Sequence, residues 1–301
     1  MSVLSPLTGS NHCVKISARP CEEIIEGYKS RFNIMVNSYF SKSLEIERYK
    51  CLDTGYVFFF PYSISGDSFF YEELSKFDWY YMSWKWENDK VFMQLKKDTK
   101  LLEIGSGKGE FLSKVSKELN IKVTGLELNV DAVHKAKAKG INVLNQSILE
   151  YQKMHKKQFD YVCAFQVLEH ISGVKLFIQS MVNCLKENGK LFITVPNNES
   201  FFKNSKNDFL NMPPHHMGQW TKTSLYSIKD LYGMSSVSFY LEPLQHYHVY
   251  WYVEVFEERF FKQKYLNYAW RKFGIRFVFQ WIVSIFRKYI KGHTILAVFQ
   301  K

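Results

Sequence analysis

Little in this chain can staple it or break it sharply. Seven prolines and five cysteines are scattered through 301 residues. The cysteines stand at 13, 21, 51, 163 and 184; an odd number at irregular spacing excludes a disulfide framework and reads as reduced thiols. Long apolar runs are also missing. The most apolar uncharged stretch, FVFQWIVSIF at residues 277 to 286, is about half of the roughly 20 residues that a membrane-spanning helix needs. The opening MSVLSPLTGSNHCVK lacks an apolar h-region, so no ordinary secretory leader is expected and a cytoplasmic location is.

Acidic charge is in the minority. Forty Lys and Arg stand against 29 Asp and Glu, a net +11, which permits an anionic partner such as nucleic acid, a nucleotide-activated compound or a lipid surface. Between Glu254 and Lys291 there are nine Lys and Arg and three Glu, among many aromatics. This stretch reads either as a helix snorkelling its lysines around an apolar stripe or, over residues 251 to 290, as a surface helix lying at an anionic membrane. With 46% hydrophobic and 23% charged residues, the chain can bury a full core.

Residues 69 to 97 are aromatic at near-helical spacing and read as helices. From Thr99 the texture changes. Short apolar runs, at 100 to 105, 121 to 128, 142 to 144, 159 to 165 and 190 to 195, alternate with amphipathic stretches. One of these stretches, VKLFIQSMVNCLKENG, ends on a glycine stop. Strands and helices alternating at this length mean a parallel sheet covered on both faces. Two further strands, VSFYL at 237 to 241 and HTILAVFQ at 293 to 300, close the chain as an antiparallel hairpin. The expectation is an α/β, Rossmann-like seven-stranded sheet, mostly parallel with its last strand antiparallel. It spans 99 to 301, with a helical insertion over 246 to 291, a helical cap over 69 to 98 and a small amino-terminal segment over 1 to 68.

The chemistry concentrates after the first strand of that sheet. LLEIGSGKGEF puts Glu103 at a strand end and Gly105, Gly107 and Gly109 in the turn that opens a helix. Glycines there let the backbone bend and let a ligand lie against it. Glu127, at the end of the next strand, is placed to accept hydrogen bonds from both ribose hydroxyls of an adenosine. A dinucleotide turn, G-x-G-x-x-G, would need its last glycine at position 110, where Glu110 would repel a pyrophosphate.

The spacing G-x-G-x-G preceded by Glu103 instead resembles the first motif of class I S-adenosylmethionine-dependent methyltransferases, whose cofactor is cationic at sulfur. Further motifs match in order. FDYVCAFQVLEHI resembles the fourth-strand motif, in which Gln166, Val167, Leu168, Glu169 and His170 line the methionine end of the cofactor. NQSILEY puts Ser147 and Ile148 at the adenine-contacting pair, with Ser147 where the family commonly has aspartate, which leaves adenine recognition to the backbone. GKLFITVPNN resembles the fifth strand, and LNMPPHHMGQWT and GHTILAVFQK resemble a subgroup associated with polysaccharide and lipid-linked sugar biosynthesis. The resemblance implies S-adenosylmethionine held by Glu103, Gly105, Ser106, Gly107, Gly109, Glu127, Leu128, Ser147, Ile148, Gln166, Val167 and Leu168. It implies a small acceptor: a sugar, a nucleotide sugar or a glycolipid. In that subgroup an amino-terminal module commonly carries two C-x-x-C pairs. Here SPLT (Ser5 to Thr8) and CLDT (Cys51 to Thr54) stand in their places. Hydroxyls are poor zinc ligands, so no metal is expected.

Transfer to a hydroxyl needs a base, and histidine has the nearest pKa. His170, His215 and His216 fall on loops at the carboxyl ends of strands, with His170 or His216 as the base and Trp220 as a wall of the acceptor site. Tyr80, Tyr81, Trp84 and Trp86 form either a lid over the sulfonium or part of the core. The D/N-P-P-aromatic motif of base methylation is absent after strand four, and no catalytic cysteine pair is placed for it, so nucleic acid is not the expected acceptor. An RNA methyltransferase using the positive charge, and a catalytically silent cofactor-binding module in a glycan assembly complex, are the competing readings.

Overall fold

A computed structural model describes residues 2–77, 80, 82–203, 205, 208–261, 270 and 272–301. The amino-terminal part runs β1 (Cys13–Pro20), α1 (Cys21–Phe32), β2 (Glu45–Cys51), β3 (Val57–Phe60), α2 (Ser68–Ser75) and α3 (Trp86–Phe92). The central part runs β4 (Lys100–Ile104), α4 (Glu110–Leu119), β5 (Lys122–Leu126), α5 (Val130–Ala138), β6 (Val143–Leu144), α6 (Ile148–Tyr151), β7 (Phe159–Phe165), α7 (Val174–Cys184) and β8 (Leu185–Pro196). After it come β9 (Gly218–Gln219), α8 (Lys222–Leu231), β10 (Ser236–Pro243), α9 (Val249–Phe260), α10 (Ile275–Phe286) and β11 (Lys291–Gln300).

Strands made of continuous apolar residues must be covered on both faces, and those of the main sheet are. Leu101, Leu102, Val162, Cys163, Ile193, Leu296 and Ala297 are all fully buried. The seven strands lie in the order β10-β11-β8-β7-β4-β5-β6. β4 pairs in parallel with β5 and β7, and β7 with β8; β11 runs antiparallel to both β8 and β10. The expected α/β sheet with an antiparallel last strand is therefore present, and that strand is wedged between the fifth and sixth. One helix boundary differs from expectation. α7 ends at Cys184 rather than at Gly189, because buried Leu185 already pairs with Phe159 at the start of β8.

The amino-terminal segment is bound to the central part by a second sheet, β1-β2-β3-β9, whose last strand comes from the loop after β8. Ile24, Tyr28, Phe70, Leu74, Phe209 and Met217 share one apolar cluster, so α2 and that loop pack in the same core as the segment. The four positions Ser5, Thr8, Cys51 and Thr54, which the resemblance sets against two cysteine pairs, lie close together. Ser5, Cys51 and Thr54 are buried, and Thr8 Oγ1 lies 3.9 Å from Cys51 Sγ. Their hydroxyls now serve the backbone: Ser5 Oγ accepts the Thr8 N–H at 3.4 Å and Thr54 Oγ1 accepts the Tyr56 N–H at 3.2 Å. Packing carries the turns here.

Candidate active site

A cavity of about 1800 Å³ opens at the carboxyl ends of β4, β5 and β7, where open α/β sheets place ligands. Ordinary ligand pockets are ~300–1,000 Å³, so this one has room for two molecules side by side.

One part of it is built by the glycine turn. The chain leaves β4 through Gly105 (φ 72°), Gly107 (φ 52°) and Gly109 (φ 72°). At Gly105 the left-handed backbone and a Val167 methyl that would lie 2.5 Å from any β-carbon both demand glycine. Glu127 faces the turn from the end of β5. Its Oε2 accepts the Gly107 N–H at 2.8 Å and its Oε1 accepts the Asn129 N–H at 2.9 Å. Each carboxylate oxygen has a further lone pair to offer a ligand. Beside it Leu128 is 66% exposed and Leu149 is 42% exposed on the cavity wall, which makes a slot for a flat apolar group. Ser147 caps α6, its hydroxyl accepting the Glu150 N–H at 3.3 Å. Adenine recognition by its side chain would compete with that cap. Glu103 is buried with Oε2 lacking a hydrogen-bond partner among the described residues. Burial, reinforced by the Glu127 charge, holds its carboxyl well above the usual range.

Two of the expected contacts lie off the wall. Leu168 is fully buried in the apolar core, and Gly109 is turned toward Ile141 and Ala136, where it starts α4. Trp220 likewise does not wall the acceptor space. It is fully buried against Tyr56, ring centroids 4.3 Å apart, where it joins the two sheets. Ser106, Ile148, Gln166 and Val167 do line the cavity. Gln166 has φ 53°, costly for a residue with a Cβ, and its N–H is held by the Thr194 carbonyl at 3.0 Å.

The same cavity brings His170, His215 and His216 together. His170 sits on a short turn after β7, and the other two on the loop between β8 and β9. That loop is stitched in place. Met217 donates its N–H to the Glu169 carbonyl at 2.7 Å while its own carbonyl accepts from Phe59 of β3 at 3.0 Å, and the Tyr28 hydroxyl donates to the Phe209 carbonyl at 2.9 Å. The amino-terminal sheet thus fixes the histidines. Each Nδ1 donates to an oxygen: His170 to the His215 carbonyl (2.8 Å), His215 to the Leu210 carbonyl (2.9 Å), His216 to Asn211 Oδ1 (3.2 Å). The Asn211 amide is oriented by its own donation to Asn198 Oδ1 at 2.8 Å, so the tautomer of His216 is settled with the others. Every Nε2 therefore keeps its lone pair.

Sequence reasoning missed several wall residues. Glu87 on α3 is buried with both carboxylate oxygens unpartnered among the described residues, as is Oε2 of Glu169. An acid inside the aromatic stretch WKWEN was the available signal. Tyr247, His248, Tyr250 and Trp251, around the start of α9, and His293 at the start of β11 also line the cavity, so the first helix of the insertion covers it. Tyr80 lines the cavity 3.4 Å from His215 Nε2, whereas Trp84 and Trp86 pack onto the core around Phe111; Tyr81 lies outside the described residues.

The buried ionisable groups oppose one another in pH. Burial lowers His170 to about 4 and His215 and His216 well below the ordinary 6.5. Unfolded imidazoles take up protons that the folded ones refuse, so stability is lost as pH falls from 6.5 toward 4. Burial raises Glu169 to about 8 and Glu242 to about 7, above the ordinary 4.5. Their unfolded forms release protons that the folded ones keep, so stability is lost as pH rises from 4.5 toward 8. The ligand-free melting temperature is therefore expected to peak between pH ~4.5 and ~6.5 and to fall toward pH 8. A steady rise from pH 5 to 8 in scanning calorimetry would contradict this.

The sheet order and a glycine turn facing an acid define the class: a Rossmann-like protein shaped for a nucleoside-bearing ligand. A family model described as "Methyltransferase domain" matches residues 81–274, and the chain belongs to that family. A "Ubiquinone biosynthesis O-methyltransferase" of Glaesserella parasuis serovar 5 is 35% identical over 108 residues, covering 33% of this chain and 45% of that protein. One of the same name from Pelagibacter ubique is 30% identical over 107 residues, covering 34% and 43%. The matched region is thus less than half the length of these curated relatives. Among solved structures, a Haemonchus contortus phosphoethanolamine N-methyltransferase 2 in complex with S-adenosyl-L-methionine is 15% identical with a TM-score of 0.55, covering 94% of this chain and 76% of that one. A SAM-dependent methyltransferase from Archaeoglobus fulgidus is 20% identical with a TM-score of 0.51, covering 78% and 100%. At such identities they share the fold.

The residues present fit S-adenosylmethionine. The Gly105 cradle admits close backbone approach, the Glu127 oxygens suit two ribose hydroxyls, the Leu128 and Leu149 slot suits adenine, and the unpartnered Glu103 suits a cationic methionine end.

Proposed function

We propose that the protein transfers the methyl group of S-adenosylmethionine to a hydroxyl oxygen of a small acceptor, a sugar or a glycan- or lipid-linked precursor. The observation that carries this reading is one cavity joining the glycine turn and Glu127 to three histidines and two unpartnered buried carboxylates. Oxygen as the methylated atom is supported by the curated relatives, named as O-methyltransferases. A sugar is supported by the lining itself: Tyr71 and Trp251 bring aromatic surface to ring C–H groups, and Glu87 and Glu169 can accept hydrogen bonds from hydroxyls.

The cofactor, when bound, supplies a methyl group already activated on a sulfonium sulfur. The chain's own residues do the rest. Glu127 holds the donor by charge and hydrogen bonding, Glu103 offers its unpartnered Oε2 to the methionine end, and α9 covers the acceptor space. His170 and His216 are the candidate bases, because burial keeps both neutral with Nε2 ready for the hydroxyl proton. His215 is the poorer candidate, since its Nε2 faces the Tyr80 hydroxyl.

Incubation with methyl-labelled S-adenosylmethionine and a panel of nucleotide sugars, glycolipids, phenols and RNA tests the reading. Label is expected on a hydroxyl of a sugar-bearing compound. Label on RNA, or none despite tight donor binding, would reject it in favour of the RNA or silent-module alternatives.

We further propose peripheral contact with an anionic membrane through α10. No helix among the described residues is long and apolar enough to cross a membrane. Phe277, Trp281 and Tyr289 are 76%, 62% and 88% exposed, and Lys288 and Lys291, which follow the helix in sequence, are exposed as well. The protein is expected to float with anionic vesicles at low salt and to be released at high salt; no flotation at either salt would remove this contact.

A further inference from the structure

The three histidines share a feature that a base does not require. One ring nitrogen from each, all three together, lies within 4.8 Å of the others, and among the described residues no other group of metal-ligating side chains converges in this way. We infer that His170, His215 and His216 form a binding site for a divalent transition-metal ion, Zn²⁺ in type. The sequence carries no thiol pairs near the amino terminus to suggest a metal. These ligands come from two loops that only the fold brings together.

The site is built as metal sites are. Ligating histidines ordinarily donate their second ring nitrogen to a carbonyl or carboxylate, which fixes the tautomer and aims the lone pair. All three donate Nδ1–H to protein oxygens, at 2.8, 2.9 and 3.2 Å, and two of those acceptors are backbone carbonyls that cannot turn away. Tetrahedral bonds of ~2.1 Å place ligand nitrogens ~3.4 Å apart, so ring nitrogens within 4.8 Å of one another need to close by at most ~1.4 Å. Three neutral imidazoles with no thiolate suit zinc, cobalt, nickel or copper better than magnesium or calcium. The fourth position of such an ion would face the cavity, as in sites that act on a substrate. Glu169, whose Oε1 lies 4.0 Å from His170 Nε2, is the neighbouring acid.

Metal binding itself does not rest on the transferase reading; its consequence does. With an ion bound, the imidazoles would serve as ligands, the metal would acidify an acceptor hydroxyl at the open position, and the proton would pass to the neighbouring Glu169 carboxyl, whose Oε2 is unpartnered among the described residues. Without an ion, an imidazole takes the proton directly.

The test uses the full chain, stripped with a chelator and dialysed, then titrated with Co²⁺ by visible absorption and with Zn²⁺ by calorimetry. One ion per chain is expected, with the intense visible bands of tetrahedral cobalt. His215→Ala and His216→Ala are each expected to weaken Zn²⁺ binding by about 100-fold or more while far-UV circular dichroism and S-adenosylmethionine binding stay intact. Cys51→Ser is expected to leave binding unchanged. Substoichiometric binding by the wild type, octahedral cobalt spectra, or binding that is lost in Cys51→Ser but kept in the histidine variants would each overturn the site. Full methyl transfer by chelated, metal-free protein would overturn its catalytic consequence and leave the imidazole base standing. Absence of transfer with any acceptor, alongside stoichiometric cobalt, would overturn the transferase reading alone.

Discussion

Glu127→Ala is expected to raise the dissociation constant for S-adenosylmethionine by about 100-fold or more in isothermal titration calorimetry. The carboxylate stands where two ribose hydroxyls would donate, and charge-assisted hydrogen bonds contribute ~1.5–3 kcal/mol each. Two of them lost together come to at least roughly 3 kcal/mol, or about two decades of affinity or more. The same oxygens hold the Gly107 and Asn129 N–H groups in the free protein, so the turn also loses preorganisation. Removing those two bonds exposes the freed N–H groups to a ligand cavity rather than to packed core, so the cost to folding is only about 1 kcal/mol. Glu127→Gln separates charge from shape: it keeps one acceptor and is expected to fall between the two, at about 10-fold. Unchanged affinity in both variants would remove the glycine turn and its facing acid from the binding site, and the transferase reading with it.

What the sequence discloses about this molecule follows the range of the interactions involved. The main sheet is legible because KLLEI, FDYVCAF and KLFITV are buried on both faces, and a short apolar run between amphipathic helices has few other solutions. The glycine turn is legible because positive φ at Gly105 and Gly107 is a local demand of the backbone. The pairing of β3 with β9 is not, since two residues of strand leave no periodicity, yet this pairing is what holds His215 and His216. Trp220 reads as a pocket wall from its neighbours in the chain and becomes core because Tyr56, far away in sequence, comes to cover it. The insertion is ambiguous for a similar reason. Its composition is basic and aromatic throughout, but α9 turns Trp251 and Glu254 to the cavity while α10 leaves Phe277 and Trp281 in solvent. The packing of α9 against α10, with Phe256 and Phe279 centroids 4.5 Å apart and Arg276 paired with Glu257, sets which side faces inward.

His170→Ala and His216→Ala are expected to lower kcat by about 100-fold or more, the usual scale for general base catalysis, with S-adenosylmethionine affinity within about twofold of wild type. The split follows from construction: the histidines come from the turn after β7 and the loop between β8 and β9, while Glu127 ends β5 and faces the glycine turn, so different loops build the two parts. The pH profile sharpens the test. Burial lowers His170 to about 4, so the base is already unprotonated near neutrality and kcat should hold from pH 8 down to about 5 before an acid limb appears. An acid limb beginning near 6.5 would instead report an imidazole in water, which none of the three is. If both single variants keep wild-type turnover, the acceptor hydroxyl loses its proton elsewhere. Glu169 is then the next group to test, since its unpartnered oxygen lines the same wall and burial holds it at about 8. Glu169→Gln keeps its shape and removes only its capacity to take a proton, so a loss confined to kcat would assign the base to the carboxylate.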